Sequence, residues 1–88
     1  MDSFDIVWRR SAERDIRNID RRYIKRIKEK IEKLSDEPHP RRSVKLIFST
    51  DHYRIRVGDY RIIYNVNEKE SVITICYIRH RKDAYRDL

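Results

Sequence analysis

Arginines on two neighbouring segments are the residues of this chain best suited to chemistry. Residues 53–64 read Tyr-Arg-Ile-Arg-Val-Gly-Asp-Tyr-Arg-Ile-Ile-Tyr, two strand-like runs joined by a Gly-Asp dipeptide. If the dipeptide is a two-residue hairpin turn, Arg56 lies directly opposite Arg61, and Arg54 shares their face. Like charges directly across a strand pair are destabilising. The pattern therefore predicts an anion beside these guanidinium groups, and we interpret it as an RNA phosphate.

A second group of candidates follows the last predicted strand. Arg79, His80 and Arg81 are consecutive, and Tyr85 comes shortly after them. In an antiparallel meander this end of the chain returns to the hairpin turn, so we expect these side chains to share one cleft with the hairpin arginines. Guanidinium groups bind phosphate oxygens bidentately and stabilise growing charge, while a phenol can stack on a base or join a proton relay. The set suits cleavage of a phosphodiester.

The chemistry predicted here uses neither a metal nor a cofactor. The sequence has no paired carboxylates and no metal-ligand spacing. A metal-free route would use the 2′-hydroxyl of RNA as nucleophile and leave a cyclic phosphate and a free 5′-hydroxyl. It needs a base, stabilisation of a phosphorane-like charge, and an acid. A simpler interpretation also stands, in which the three hairpin arginines are only a solvated face.

Composition limits the protein to a small, highly charged domain. The chain has 88 residues, of which 39% are hydrophobic and 42% charged. That length predicts a single domain over residues 1–88. The net charge of +7 favours a polyanionic partner: nucleic acid, an anionic membrane surface or an acidic protein segment.

Cysteine usage and hydropathy bear on the compartment. Cys76 is the only cysteine, which excludes an intrachain disulfide, and its strand-like surroundings predict a packed, inert thiol. The N-terminus lacks an apolar signal region, and no apolar run is long enough to span a membrane. The cytoplasm is therefore the expected location.

The elements that must position these residues predict an α+β fold. We expect an N-terminal strand at residues 4–8, a short helix that Ser11 caps, a second helix, and strands at 44–48, 53–57, 60–64 and 72–79. The second helix carries an apolar stripe, namely Tyr23, Ile24, Ile27, Ile31 and Leu34. This stripe should pack on one face of an antiparallel meander sheet and leave the opposite face concave and basic. A basic amphipathic membrane helix is the alternative for this segment.

Residues 53–64 and 79–85 together resemble the RelE/ParE toxin superfamily, specifically its RelE branch. The order of the preceding elements also agrees, so the resemblance spans nearly the whole chain. It implies a compact microbial RNase-like fold with a helical hairpin against a small antiparallel sheet. It also implies a type II toxin–antitoxin toxin that cleaves mRNA in the ribosomal A site and is inhibited by a RelB-type antitoxin.

The resemblance implies a role for each candidate residue. Arg54 and Arg56 match positions near the 2′-hydroxyl and the phosphate. Arg61 matches the arginine that stabilises the transition-state phosphate. Arg81 matches the one near the leaving oxygen, and Tyr85 matches a tyrosine that stacks on or orients the base.

One departure concerns the general base. Some members carry lysines at the positions of Arg54 and Arg56, and one lysine is assigned as the base. Arginine does not lose its proton in proteins. His80 is then the best titratable candidate. Further RNA contacts are predicted for Lys45, Arg79 and Lys82.

Two other functions remain open at this point. The ParE branch shares the fold and poisons DNA gyrase, and it is thought to lack the nuclease residues. A non-catalytic RNA- or ribosome-binding module would bind with steep salt dependence and yield no cut product. In each case a basic toxin should attract an acidic, partly disordered antitoxin segment, which could cover the arginines or displace the segment that holds Tyr85.

Overall fold

The computed structural model describes residues 3–47 and 49–82, which form two helices and a five-stranded sheet. In chain order the elements are β1 Asp5–Trp8, α1 Arg10–Arg17, α2 Arg21–Lys33, β2 Val44–Lys45, β3 His52–Val57, β4 Tyr60–Asn67 and β5 Val72–His80. The sheet order is β1-β5-β4-β3-β2. β1 runs parallel to β5, and the other pairs are antiparallel. The predicted α+β fold and its meander are confirmed.

Both helices pack on one face of the sheet, and the core lies between the two layers. The apolar residues of α2 recur at helical spacing, so they form one stripe. Ile27 and Ile31 in this stripe are almost fully buried. They join the inward-facing side chains of β3 and β4 in one cluster, which includes Ile55, Ile62 and Tyr64. In the part of the chain that the structure describes, no helix is long and apolar enough to cross a membrane.

Side chains of helix α1 form hydrogen bonds with the part of β5 that does not pair with β1. β1 pairs with β5 only as far as Trp8 and Ile75. Beyond that point the Ser11 hydroxyl donates to the Cys76 carbonyl at 2.7 Å, and the Asp15 carboxylate accepts from the Ile78 N–H at 2.9 Å. The prediction that Ser11 caps the helix is wrong, because its hydroxyl binds the sheet instead.

Asp20 marks the start of α2. Its carboxylate accepts a hydrogen bond from the Arg22 backbone N–H at 3.0 Å. The same carboxylate pairs with the Arg22 guanidinium, which lowers the pKa of Asp20 to about 2. An N-cap of this kind satisfies one of the free N–H groups of the first turn.

Strand β2 is shorter than predicted. The sequence favours a strand over residues 44–48, but within the described part of that range, residues 44–47, only Val44 and Lys45 are in strand conformation. The Leu46 N–H still donates to the His52 carbonyl, and the Leu46 carbonyl then accepts from the Ser49 N–H in a turn. This turn leads from β2 into β3. Because β2 begins only at Val44, opposite Arg54, it does not pair with residues 55–57 of β3.

Tyr64 forms a hydrogen bond between the sheet and the segment that connects α2 to β2. Its side chain is fully buried, and its hydroxyl donates to the Pro38 carbonyl at 2.9 Å. The ring stacks on Tyr53 at 5.9 Å, and His39 packs edge-on against Tyr53 at 4.6 Å. These contacts hold in place the segment that leads into Arg42.

Burial raises the pKa of Tyr64 from 10.0 to about 12, which predicts a pH dependence of stability. The folded protein keeps this proton where the unfolded chain loses it, so the stabilisation is complete below pH 10 and is lost as pH rises towards 12. Urea unfolding of Tyr64→Phe should show about 1 kcal/mol lower stability at neutral pH, because a hydrogen bond is lost. It should also show a shallower decline in alkali. Tyr77→Phe is the control, and equal alkaline slopes for wild type and Tyr64→Phe would contradict the expectation.

Candidate functional site

The hairpin between β3 and β4 has the predicted register. Val57 is opposite Tyr60, and Arg56 is opposite Arg61. Gly58 has a φ of +57°, a region that glycine adopts readily and that the first position of a type II′ hairpin turn requires. A Cβ at Gly58 would also lie only 2.9 Å from Cε1 of Tyr23. Backbone conformation and the close ring both favour glycine here.

Gly58→Ala should therefore destabilise the hairpin. We expect a cost of about 1–2 kcal/mol from the positive φ, with a further contribution from displacement of Tyr23. Urea unfolding monitored by circular dichroism measures this decrease in the free energy of unfolding. Ser71 is the matched control because it has a φ of 56° with a side chain already present. We expect the opposite sign for Ser71→Gly, and a Gly58→Ala protein as stable as wild type would contradict the assignment.

Three arginines lie side by side across three adjacent strands. Arg56 pairs with Arg61, and Arg61 pairs with Arg79. Arg56 is exposed and Arg79 is half-buried, whereas Arg61 is only 7% exposed. Ile63, which lies on the same face of β4, is also buried. The expectation of an open basic face is therefore wrong at β4, where both faces are buried, and correct at Arg56.

A groove of about 800 Å³ opens between β3 and α2. Its cationic lining comes from three parts of the chain: Arg26, Lys30 and Lys33 of α2, Arg42 before β2, and Arg54, Arg56 and Arg61 of the hairpin. Glu29 is the one acidic residue in the lining, among the residues that the structure describes. At the turn end, the Arg26 guanidinium lies over the Tyr23 ring at 5.8 Å from its centre. Seven cations and one carboxylate give this groove a strongly positive lining, which favours an anion as its ligand.

The α2 cations and Arg42 are the cationic lining residues of this groove that sequence reasoning missed. Arg26, Lys30 and Lys33 recur at helical spacing, so they form one stripe beside the apolar one. That periodicity was available in the sequence. Which neighbouring element the stripe faces depends on how α2 packs on the sheet.

His80 lies on the other face of the sheet from Arg61. It is opposite Tyr60 in the register, and its ring packs edge-on against Tyr60 at 5.4 Å. Side chains alternate along a strand, so His80 points to the face that Tyr60 shares and Arg79 to the face of Arg61. The expectation that His80 and Arg61 share a cleft is wrong.

The two other predicted arginines near the end of β5, Arg79 and Arg81, occupy different positions. The Arg79 guanidinium pairs with the Asp15 carboxylate of α1 and lies over the Tyr77 ring at 4.9 Å. The structure thus connects Arg79 to α1 and not to the groove. Arg81 lies beside the hairpin turn, where its backbone N–H donates to the Asp59 carbonyl at 2.6 Å. The predicted return of β5 to the turn is confirmed.

The other predicted contacts are dispersed. Lys45 is opposite Tyr53 on β2, so it lies on the face away from Arg54, and it does not line the groove. Lys82 is exposed after β5. Tyr85 lies outside the described residues. The roles of all these residues in RNA binding stay predictions.

Cys76 is the buried thiol that the sequence predicts. It is 2% exposed, and burial raises its pKa. Nucleophilic thiols are ionised, so this environment favours a packing role. Cys76 also lies at an irregularity in the pairing of β4 with β5. Ile63 is opposite Tyr77 and Tyr64 is opposite Ile75, so Cys76 is an extra residue on β5, as in a β-bulge.

Comparison with known proteins shows this fold to be that of a small toxin of the type II toxin–antitoxin class. Residues 6–85 match a family described as the ParE toxin of the type II toxin–antitoxin system parDE. The chain therefore belongs to the RelE/ParE superfamily, and its relatives place it on the RelE branch.

Three archaeal comparisons support the branch. The RelE–RelB complex of Pyrococcus horikoshii contains a chain that is 31% identical, with a TM-score of 0.81 and coverage of 93% of this chain and 99% of that one. The antitoxin–toxin complex RelB–RelE of Methanococcus jannaschii gives 28% identity, a TM-score of 0.79, and coverage of 93% and 98%. A sequence named "Putative toxin RelE1" from Methanocaldococcus jannaschii is 29% identical over 87 residues, which are 96% of this chain and 97% of that sequence.

Proposed function

We propose that this chain is an mRNA interferase, a ribosome-dependent endoribonuclease that cleaves mRNA in the A site by attack of the 2′-hydroxyl. The observation that carries the proposal is the groove, in which Arg56 and Arg61 are directly opposite each other and five further cations surround them. Like charges so close together are unfavourable unless an anion lies between them. The phosphodiester backbone of RNA is such an anion.

In the proposed reaction the arginines act through charge and hydrogen bonds. Arg54 and Arg56 bind the phosphate next to the attacking 2′-oxygen, and Arg61 stabilises the extra negative charge of the phosphorane-like state. Arg81, which follows β5 beside the turn, stabilises the charge on the leaving 5′-oxygen in this proposal. The 2′-hydroxyl loses its proton to solvent as its oxygen bonds to phosphorus, and the bond from phosphorus to the 5′-oxygen breaks. The 5′-oxygen takes up a proton from solvent, so the products are a 2′,3′-cyclic phosphate and a 5′-hydroxyl.

The partner in this proposal is an antitoxin of the RelB type in the cytoplasm. The structures from Pyrococcus horikoshii and Methanococcus jannaschii compared above each contain the related chain in a complex of RelE with RelB. The charge of this chain, +7, suits an acidic partner. Such an antitoxin would silence the toxin by occupying the groove that binds RNA.

Cleavage on programmed ribosomes tests the function directly. Primer extension should map wild-type cuts to the A site, and a 2′-O-methyl group at the cut nucleotide should abolish them. Arg56→Ala, at an exposed position, should cut more slowly, whereas Arg14→Ala on α1 makes the same charge change and should cut normally. His80→Ala should also retain the wild-type rate, since His80 is on the other face.

A gyrase poison is the second candidate, because the matching family is described as the ParE toxin. It predicts growth arrest with gyrase-dependent DNA breaks and intact mRNA. Arrest without A-site cuts in the ribosome assay would reject the nuclease. A supercoiling assay with purified gyrase would then decide between a gyrase poison and a non-catalytic ribosome binder.

A further inference from the structure

His52 lies on the same face of the sheet as the hairpin arginines. It is the first residue of β3, and side chains alternate along a strand, so His52, Arg54 and Arg56 share one face. Arg61 is opposite Arg56 on that face. Two residues of a strand span about 7 Å, so a histidine and an arginine at this spacing can contact the same nucleotide. The start of β3 therefore places a titratable ring beside the arginines that are proposed to bind phosphate.

The other two histidines of the chain lie elsewhere. His80 is opposite Tyr60 and packs against its ring, on the other face of the sheet. His39 packs edge-on against Tyr53, which follows His52 in β3 and so points to the opposite face. Of the three histidines, His52 is the one on the arginine face.

Two residues of the turn before β3 hold the His52 ring by its Nδ1 atom. Nδ1 lies 2.6 Å from Oγ of Ser49 and 3.1 Å from Oδ1 of Asp51. The Ser49 hydroxyl donates its own proton to Asp51 at 2.8 Å, so its oxygen accepts from the ring. An ionised carboxylate also only accepts. Nδ1 therefore carries the proton of the neutral ring, and the lone pair is on Nε2.

Asp51 is an ionised partner for this ring. A hydrogen bond from the Ser49 hydroxyl lowers the pKa of Asp51, and the Asn65 side chain and His52 lower it further. A carboxylate at Nδ1 fixes the tautomer and orientation of an imidazole and stabilises the imidazolium that forms when Nε2 takes a proton. The turn thus gives His52 the environment that a general base requires.

We propose that His52 is the general base of the cleavage reaction, with Nε2 as the atom that takes the proton of the 2′-hydroxyl. This inference rests on the proposed function and names a group that acts in place of solvent in its first step. As the 2′-oxygen bonds to phosphorus, its proton moves to Nε2 and the ring becomes an imidazolium. The 5′-oxygen takes its proton from solvent as its bond to phosphorus breaks, and the imidazolium returns its proton to solvent after the cut. The neighbouring arginines cannot take this proton, because they are already protonated and stay so.

Single-turnover cleavage on programmed ribosomes at saturating toxin tests the base. We expect His52→Gln to cut about a hundredfold more slowly at neutral pH, which is the lower end of the usual contribution of a general base, and to bind the ribosome as wild type does. His39→Gln and His80→Gln are the matched controls and should cut at the wild-type rate. Added imidazole should restore part of the rate to His52→Ala, which distinguishes a missing base from a damaged fold.

The pH dependence of the cleavage rate identifies the titrating group. The wild-type rate should rise between about pH 5 and pH 8, where a histidine loses its proton, and folded His52→Gln should lack this rise. The charged neighbours Asp51 and Arg54 keep their charges in this range, and the Cys76 thiol on β5 stays protonated because burial raises its pKa. The remaining neighbours on this face, among the residues that the structure describes, do not titrate: Leu46 beside β3, and Ile63, Asn65 and Asn67 on β4.

Three results would overturn the role of His52. These are a folded His52→Gln protein that cuts at the wild-type rate, a rise with pH that persists in this variant, or a folded His52→Ala protein that imidazole does not rescue. Any of them, with cleavage by wild type intact, rejects only the base and keeps the nuclease. Absence of A-site cuts by wild type rejects the nuclease itself and the role of His52 with it.

Discussion

Arg61→Ala is expected to lower the rate of A-site cleavage by about two to three orders of magnitude, the usual effect of removing a preorganised donor that stabilises transition-state charge. Arg61 is 7% exposed and lies between Arg56 and Arg79 on neighbouring strands. A guanidinium held in this way needs little reorganisation as negative charge grows on the phosphate. Single-turnover cleavage on programmed ribosomes measures the effect.

Two variants make the Arg61 result interpretable. Arg61→Lys keeps the positive charge and loses the planar pair of donors, so we expect an intermediate loss. Arg14→Ala removes one exposed charge from α1 and should cleave like wild type. Circular dichroism and thermal unfolding identify which variants are folded. A folded Arg61→Ala protein that cuts at the wild-type rate would remove Arg61 from the chemistry.

Ile27→Ala is expected to reduce the free energy of unfolding by about 2–5 kcal/mol. Ile27 has no exposed surface, and its side chain joins α2 to the core cluster. Truncation loses the transfer free energy and leaves a cavity that the surroundings only partly fill. Because small domains have only about 5–15 kcal/mol of total stability, this one change should lower the midpoint of urea unfolding substantially.

The control for Ile27→Ala is the same substitution at the surface. Ile47 is 94% exposed, so Ile47→Ala should change stability by less than about 0.5 kcal/mol. Ile27→Val should cost about 1 kcal/mol. Below its unfolding transition Ile27→Ala should still cleave mRNA, since the groove charges are unchanged. Equal stability of the two alanine variants would contradict the packing of α2 on the sheet.

The hairpin could be derived from sequence because its determinants are local. The period of a strand and the short Gly-Asp turn together decide that Arg56 is opposite Arg61, and the structure has this register. The apolar stripe of α2 likewise predicted its buried side, including Ile27 and Ile31. Both inferences use residues close in the chain, for which backbone geometry alone decides the neighbours.

Contacts between distant segments required the tertiary structure. His80 was expected in the cleft, but its pairing with Tyr60 places it on the other face. Ser11 was expected to cap α1, but its hydroxyl reaches the Cys76 carbonyl. In each case the residue type allowed two partners, and only the packing of one element on another selected between them.

The sequence alone therefore determined the fold class, the paired arginines and the excess of positive charge. The tertiary structure decided that the cationic stripe of α2 lines the same groove as the hairpin arginines and that β2 begins only at Val44, opposite Arg54. The physical reason is the range of the forces involved. Periodicity and turn geometry act within a few residues, whereas the shape and charge of a groove depend on how helix and sheet pack across the whole core.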